Sequence, residues 1–263
     1  MVEEPMIDRA GVTPRPLNDQ TVLVLGGSSG IGRASALAFR AAGAQVAIAG
    51  RDPERGQAAA EAIGAAFLPC DASDPAAVEG LVEDAEQSLG RIDTLMISTG
   101  GARLPELLFR QSLADIRAGL MQDLAPFLYA ARAVLPGMMK AGRGCILSVA
   151  SDAGKVATPG EAVIGAGMAA IIQFTRTLAI EGKRNGVRAN VLTPSLVEGT
   201  PLTERLMAEG SFSAKLFAKA RPLAALGPTE AEDLAALAVF LASPAARRIT
   251  GQAISVNGGI SAA

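Results

Sequence analysis

The stretch "VLVLGGSSGIGRASALAF", residues 22–39, decides the fold. A short apolar run stops at Gly26, small residues follow, and from Gly30 the apolar positions recur at helical spacing. A strand that turns through Gly26, Gly30 and Gly32 into a helix leaves backbone amides and the positive end of that helix facing one spot. Such a spot is suited to an anion. Three glycines alone are weak evidence, but a strand before them and a helix after them raise the signal considerably.

The same rhythm continues outward. Runs at 45–49, 65–69, 94–98, 145–149, 188–192 and 253–256 read as further strands after 21–25, and helical spacing covers 30–42, 53–63, 75–89, 112–139, 160–181 and 230–241. Alternation of this kind predicts βαβ crossovers, hence an α/β fold with a mostly parallel sheet of about seven strands and helices on both faces. The chain has 263 residues, 49% hydrophobic and only 3% aromatic, so the core must be built from Ala, Val, Leu and Ile. We expect one domain over 19–263, preceded by a polar, proline-punctuated arm at 1–18. The segment 196–223 breaks the rhythm and is read either as a lid over the strand ends or as a plain surface excursion.

Several classes of function are disfavoured. A net charge of -2 without a basic tract gives no electrostatic reason to expect nucleic acid or an anionic membrane. The nearly uncharged run 157–174 is interrupted by Glu161 and Gln173 and rich in glycine, so it reads as a buried helix and not a membrane span. The N-terminus has no apolar secretory core, and a cytoplasmic location is expected. Cys70 and Cys145 read as buried free thiols. The chain has no histidine, so proton chemistry falls to Asp, Glu, Lys, Cys or the single tyrosine, Tyr129.

The second strand carries its own signal. A free ribose hydroxyl is usually held by a carboxylate at the end of that strand, whereas a 2'-phosphate calls for a cation. Here the strand is followed by Arg51, with Asp52 one position late. NADP is therefore favoured over NAD, the bland alternative being a solvated Arg51.

From about residue 19 to its end the chain resembles the short-chain dehydrogenase/reductase family. The pattern TGxxxGxG appears as "LGGSSGIG", with Leu25 for the threonine, and "CDASD", "GCILSVASDAG", "RANVLTPS" and "ITGQAISVNGG" follow in the family's order. The resemblance implies a Rossmann-type doubly wound fold. It implies nucleotide contacts at Gly26, Ser28, Ser29, Gly30, Ile31, Gly32, Arg51, Asp71, Gly100, Pro194 and Thr200, with Asp71 at the adenine and a catalytic serine at Ser151. It fails at three of four catalytic positions: the helix asparagine aligns with Asp123, the tyrosine with Ile164 and the lysine with Met168.

Hydride transfer to a ketone creates an alkoxide that needs a nearby acid, and Ile164 can donate nothing. Tyr129, six residues past Asp123 on the same predicted helix, should face elsewhere. Asp152 reads as a solvated turn residue or a group at the pocket mouth. Asp123 reads as a carboxyl with a raised pKa or as half of a salt bridge. Three readings stay open. One is an oxidoreductase for an iminium-type or other electrophilic hydrophobic substrate, with Asp123 stabilising the cation. Another is a silent subunit assembling with an active paralogue. The last is a non-redox catalyst or sensor that uses the nucleotide structurally. The chain is expected to be an oligomer, a homodimer or homotetramer in the first case and a hetero-oligomer in the second.

Overall fold

The computed structural model describes residues 16–100 and 103–263. In chain order the elements are β1 (Thr21–Leu25), α1 (Gly30–Ala41), β2 (Gln45–Gly50), α2 (Pro53–Ile63), β3 (Ala66–Pro69), α3 (Pro75–Leu89), β4 (Thr94–Ile97), α4 (Leu113–Ala141), β5 (Gly144–Val149), α5 (Ala162–Gly182), β6 (Val187–Pro194), β7 (Val197–Glu198), α6 (Pro201–Leu206), α7 (Phe212–Ala220), β8 (Thr229–Glu230), α8 (Ala231–Ala242) and β9 (Ala253–Val256). Seven strands form one sheet in the order β3-β2-β1-β4-β5-β6-β9, with every pairing parallel. The α/β doubly wound fold expected from the sequence is therefore present, and its strand order reverses between β1 and β4.

The central strands are buried along their whole length, as both-sided coverage by helices demands. One face packs Leu23, Leu95, Ile97 and Ile146 against α3, α4 and α5; the other packs Val22, Val24, Met96 and Leu147 against α1, α2 and α8. Among the described residues, α5 with its continuation to Asn185 is the one helix long and apolar enough to cross a membrane. It lies on the sheet, against α4 and β6.

The expected arm at 1–18 falls largely outside the described residues, but its last part does not. Leu17 is completely buried in the core on the α1 side, and its N–H donates to the Ala42 carbonyl at 3.1 Å. The 196–223 segment folds into β7, α6 and α7 around a small cluster of Leu196, Leu206 and Phe217. It is tied to the body by the parallel β7–β8 pair and stiffened by an Arg221–Glu198 ion pair at 2.8 Å.

Candidate active site

Two adjoining clefts open at the carboxyl ends of the strands, one of about 410 Å³ and one of about 280 Å³. They share Gly26, Ser29, Arg51, Ser98, Thr99, Gly100 and Asp123, so they meet where the strand order reverses. That is where a doubly wound sheet binds a ligand.

The glycine turn forms the floor of the junction. Gly26 has φ 89°, and a Cβ there would lie 2.3 Å from the Ser98 carbonyl oxygen; a Cβ on Gly32 would lie 2.2 Å from the Gly26 oxygen. Only glycine lets the turn close this tightly. Gly32 itself lines neither cleft, so its part is to let helix and turn touch. Ser29, the N-cap of α1, makes no side-chain cap, unlike Asp52, Ser112 and Thr200 at their helices. The first amides of α1 thus meet the cleft without a side-chain acceptor, as an anion site requires. Gly30 and Ile31 line the larger cleft and Ser28 the smaller one.

Arg51 faces both clefts, with Arg55 beside it. Asp52 caps α2 instead, accepting from the Arg55 N–H at 3.0 Å, and lines neither cleft. In the smaller cleft the Ser73 N–H and hydroxyl hold the Asp71 carboxyl below its ordinary range, at 3.0 and 2.7 Å. Pro194 and Thr200 line the larger cleft, and Thr200 stands over Gly30, 3.6 Å from where a Cβ would be.

The wall of the larger cleft carries Ser151, Ile164, Met168 and Asp123 together. Ser151 follows β5, and its Oγ accepts from the Ala153 N–H at 3.2 Å, which leaves the hydroxyl proton free to donate. Ile164 and Met168 project from successive turns of α5 and are partly rooted in the core. Asp123, on α4, is 3% exposed; burial raises its carboxyl pKa, partly offset by the charge of Arg103. Its Oδ2 has no hydrogen-bond partner among the described residues.

Two further groups on this wall escaped the sequence reading. Glu161 lines the larger cleft one turn before Ile164, and burial raises its pKa against a Thr158 hydrogen bond. Arg103 lines it too, its guanidinium turned to Gln111 and to the Asp115 carbonyl. Neither stands at a motif position, although Glu161 lies three residues before Ile164, and packing brings both to the cleft.

Tyr129 packs against the core and lines neither cleft. Among the described residues no tyrosine, lysine or histidine lines either one. Asp152 proves to be neither a solvated turn residue nor a group of the pocket mouth. It is 5% exposed, pairs with Lys155 at 3.5 Å, and accepts from Ser255, Asn257 and Ser261. It therefore fastens the C-terminal segment to the Ser151 turn. Cys70 and Cys145 are buried free thiols, each pushed up to about 11 by burial, so both are protonated at neutral pH.

The family model described as Enoyl-(Acyl carrier protein) reductase matches residues 26–261. The 3-oxoacyl-[acyl-carrier-protein] reductase FabG of Chlamydia pneumoniae is 33% identical over 247 residues, covering 91% of this chain and 96% of that protein. The chain belongs to the short-chain dehydrogenase/reductase family. Among solved structures, a short-chain dehydrogenase/reductase family protein superposes with a TM-score of 0.81 at 33% identity, covering 93% of this chain and 98% of that one. A crystal structure described as ribose-5-phosphate isomerase from Brucella melitensis 16M gives a TM-score of 0.87 at 30% identity over 94% of each chain. Members of the short-chain dehydrogenase/reductase family are oxidoreductases that use NAD(P), and the uncapped α1 terminus and glycine cradle of this chain fit such a nucleotide.

Proposed function

We propose that this family member is an NADP(H)-dependent oxidoreductase for a hydrophobic electrophile that needs no proton as it accepts hydride, an iminium ion being the best fit. One observation carries the reading: a glycine turn open to phosphate adjoins a cleft with no tyrosine, lysine or histidine in its described wall. The nicotinamide supplies hydride when bound. Arg51 and Arg55 meet the 2'-phosphate, and the α1 amides the pyrophosphate. In this reading Ile164 and Met168 stand where the family keeps its catalytic tyrosine and lysine, and they offer an apolar wall instead. The Ser151 hydroxyl orients the substrate. Glu161 places a carboxyl on the wall of the larger cleft, which favours a cationic electrophile over a neutral one.

The similarity to 3-oxoacyl reductases supports a reductase and brings ketone reduction to this chain as the competing chemistry. A ketone reduced here becomes an alkoxide beside Ile164, without the positioned acid that is typically worth ~10²–10⁴ in rate. The test is NADPH oxidation with a cyclic N-alkyl aryl iminium salt, the imine in its permanently charged form, and with the ketone of the same skeleton. We expect imine turnover to exceed ketone turnover by about 10²-fold or more; equal turnover, or faster ketone reduction, contradicts the reading.

A second reading, a silent subunit, is favoured by the apolar surface at the start of α4 and in the turn before it, where Leu113 is 85% and Phe109 79% exposed. It predicts no turnover with either substrate and a stable complex with an active family member.

A further inference from the structure

We propose that Asp123 holds the ribose of the nicotinamide half, its carboxylate accepting from the hydroxyls of that sugar. The inference rests on the nucleotide reading above and assigns Asp123 to the nucleotide, leaving Glu161 as the carboxyl on the substrate side.

Asp123 Oδ2 is buried without a hydrogen-bond partner among the described residues, a state that costs free energy unless a ligand or water supplies donors. Among the described residues Asp123 forms no ion pair of the kind weighed from the sequence. Arg103 acts on Asp123 through its charge, while its own hydrogen bonds go to Gln111 and Asp115. Room has been left around the carboxyl instead. A Cβ on Gly100 would touch Oδ1 at 3.7 Å, so that glycine keeps this oxygen uncovered on the cleft side, while Oδ2 lies buried behind it, 3.8 Å from where a Cβ on Gly167 would be.

Position then selects the ligand. A dinucleotide that sets its pyrophosphate on the α1 terminus runs one half towards Arg51 and Asp71 in the smaller cleft. The other half must cross from β1 to β4 into the larger cleft. The sugar of that second half lies between the pyrophosphate and the ring, which is the junction. Asp123 lines both clefts there, beside Gly100, whereas Glu161 lines only the larger one. A vicinal diol offers two donors to a group that only accepts when ionised, the pairing by which an acidic residue holds the other ribose in many dinucleotide sites. The neighbouring Met168 thioether has no proton to donate.

The test is calorimetric titration of the full chain with NADP+ and with 2',5'-ADP, which lacks the nicotinamide ribose, in the native protein, Asp123→Ala and Asp123→Asn. We expect both variants to weaken NADP+ binding, Asp123→Ala by about tenfold or more, and to leave 2',5'-ADP binding unchanged. Should Asp123→Ala fail to fold, Asp123→Asn carries the test with the same ligand contrast. An equal loss for both ligands, or none for either, overturns the assignment to the nicotinamide ribose. So does a native protein that binds NADP+ no more tightly than 2',5'-ADP. If the native protein binds neither, the nucleotide reading itself falls, an outcome distinct from the others.

Discussion

At the scale of single residues, the chemistry of the cleft turns on side chains that differ by a few atoms. Ile164 and Met168 occupy successive turns of α5 and face the same cleft as Ser151. Putting Tyr at 164 and Lys at 168 should place an acid and a cation beside that hydroxyl, the cation lowering the phenol pKa towards neutrality. We predict that Ile164→Tyr with Met168→Lys raises NADPH-dependent ketone reduction by about 10²–10⁴, and that either change alone gives far less. No gain in the folded double variant would mean that other features of the cleft exclude ketones. Arg51 was legible from its place at the end of the second strand, and Ser151 and Asp123 through the family resemblance, as the positions of its catalytic serine and helix asparagine. Glu161 was not: its burial comes from the wall closing around it, including the packing of the Phe212 ring over Gly160, 52 positions from Phe212 in sequence.

At the scale of elements, the site depends on how closely the Ser151 turn sits on α5. A Cβ on Gly154 would meet the Ala169 nitrogen and the Met168 carbonyl carbon at 2.8 Å, and one on Gly165 the Ala153 oxygen at 2.7 Å. Turn and helix approach through reciprocal glycines, and a side chain at either must push them apart. Gly154→Val should lower stability by about 1–3 kcal/mol, read as a fall in Tm. A variant as stable as the native protein would show the turn free to yield. The long elements were legible because their periods persist over many residues: α4 runs through Pro126 and Pro136, close to the expected 112–139. Elements without a period were not. β7 and β8 have two residues each, and their pairing follows only from the fold bringing Val197 beside Thr229.

At the scale of the whole molecule, the clefts are places where folding leaves charge poorly solvated. Burial raises the folded-state pKa of both Asp123 and Glu161. As pH rises from the ordinary carboxylate range, the unfolded chain releases these protons first, so the folded state binds more of them and stability falls until the folded groups also ionise. Asp123→Asn should therefore raise Tm of the nucleotide-free protein at about pH 8 and do so less at about pH 5. A gain independent of pH would show that the carboxyl titrates normally. The parallel sheet of about seven strands was foreseeable from alternating strands and helices, and its doubly wound form through the family resemblance, but the burial that sets these pKa directions was not, because it depends on packing between elements distant in sequence. The central claim is that a working nucleotide site adjoins a cleft without the usual acid. Titrating the purified protein with NADPH and with NADH, followed by nucleotide fluorescence, tests it most directly. The account predicts micromolar binding that prefers NADPH and loses that preference in Arg51→Ala; absence of binding at millimolar nucleotide would contradict it.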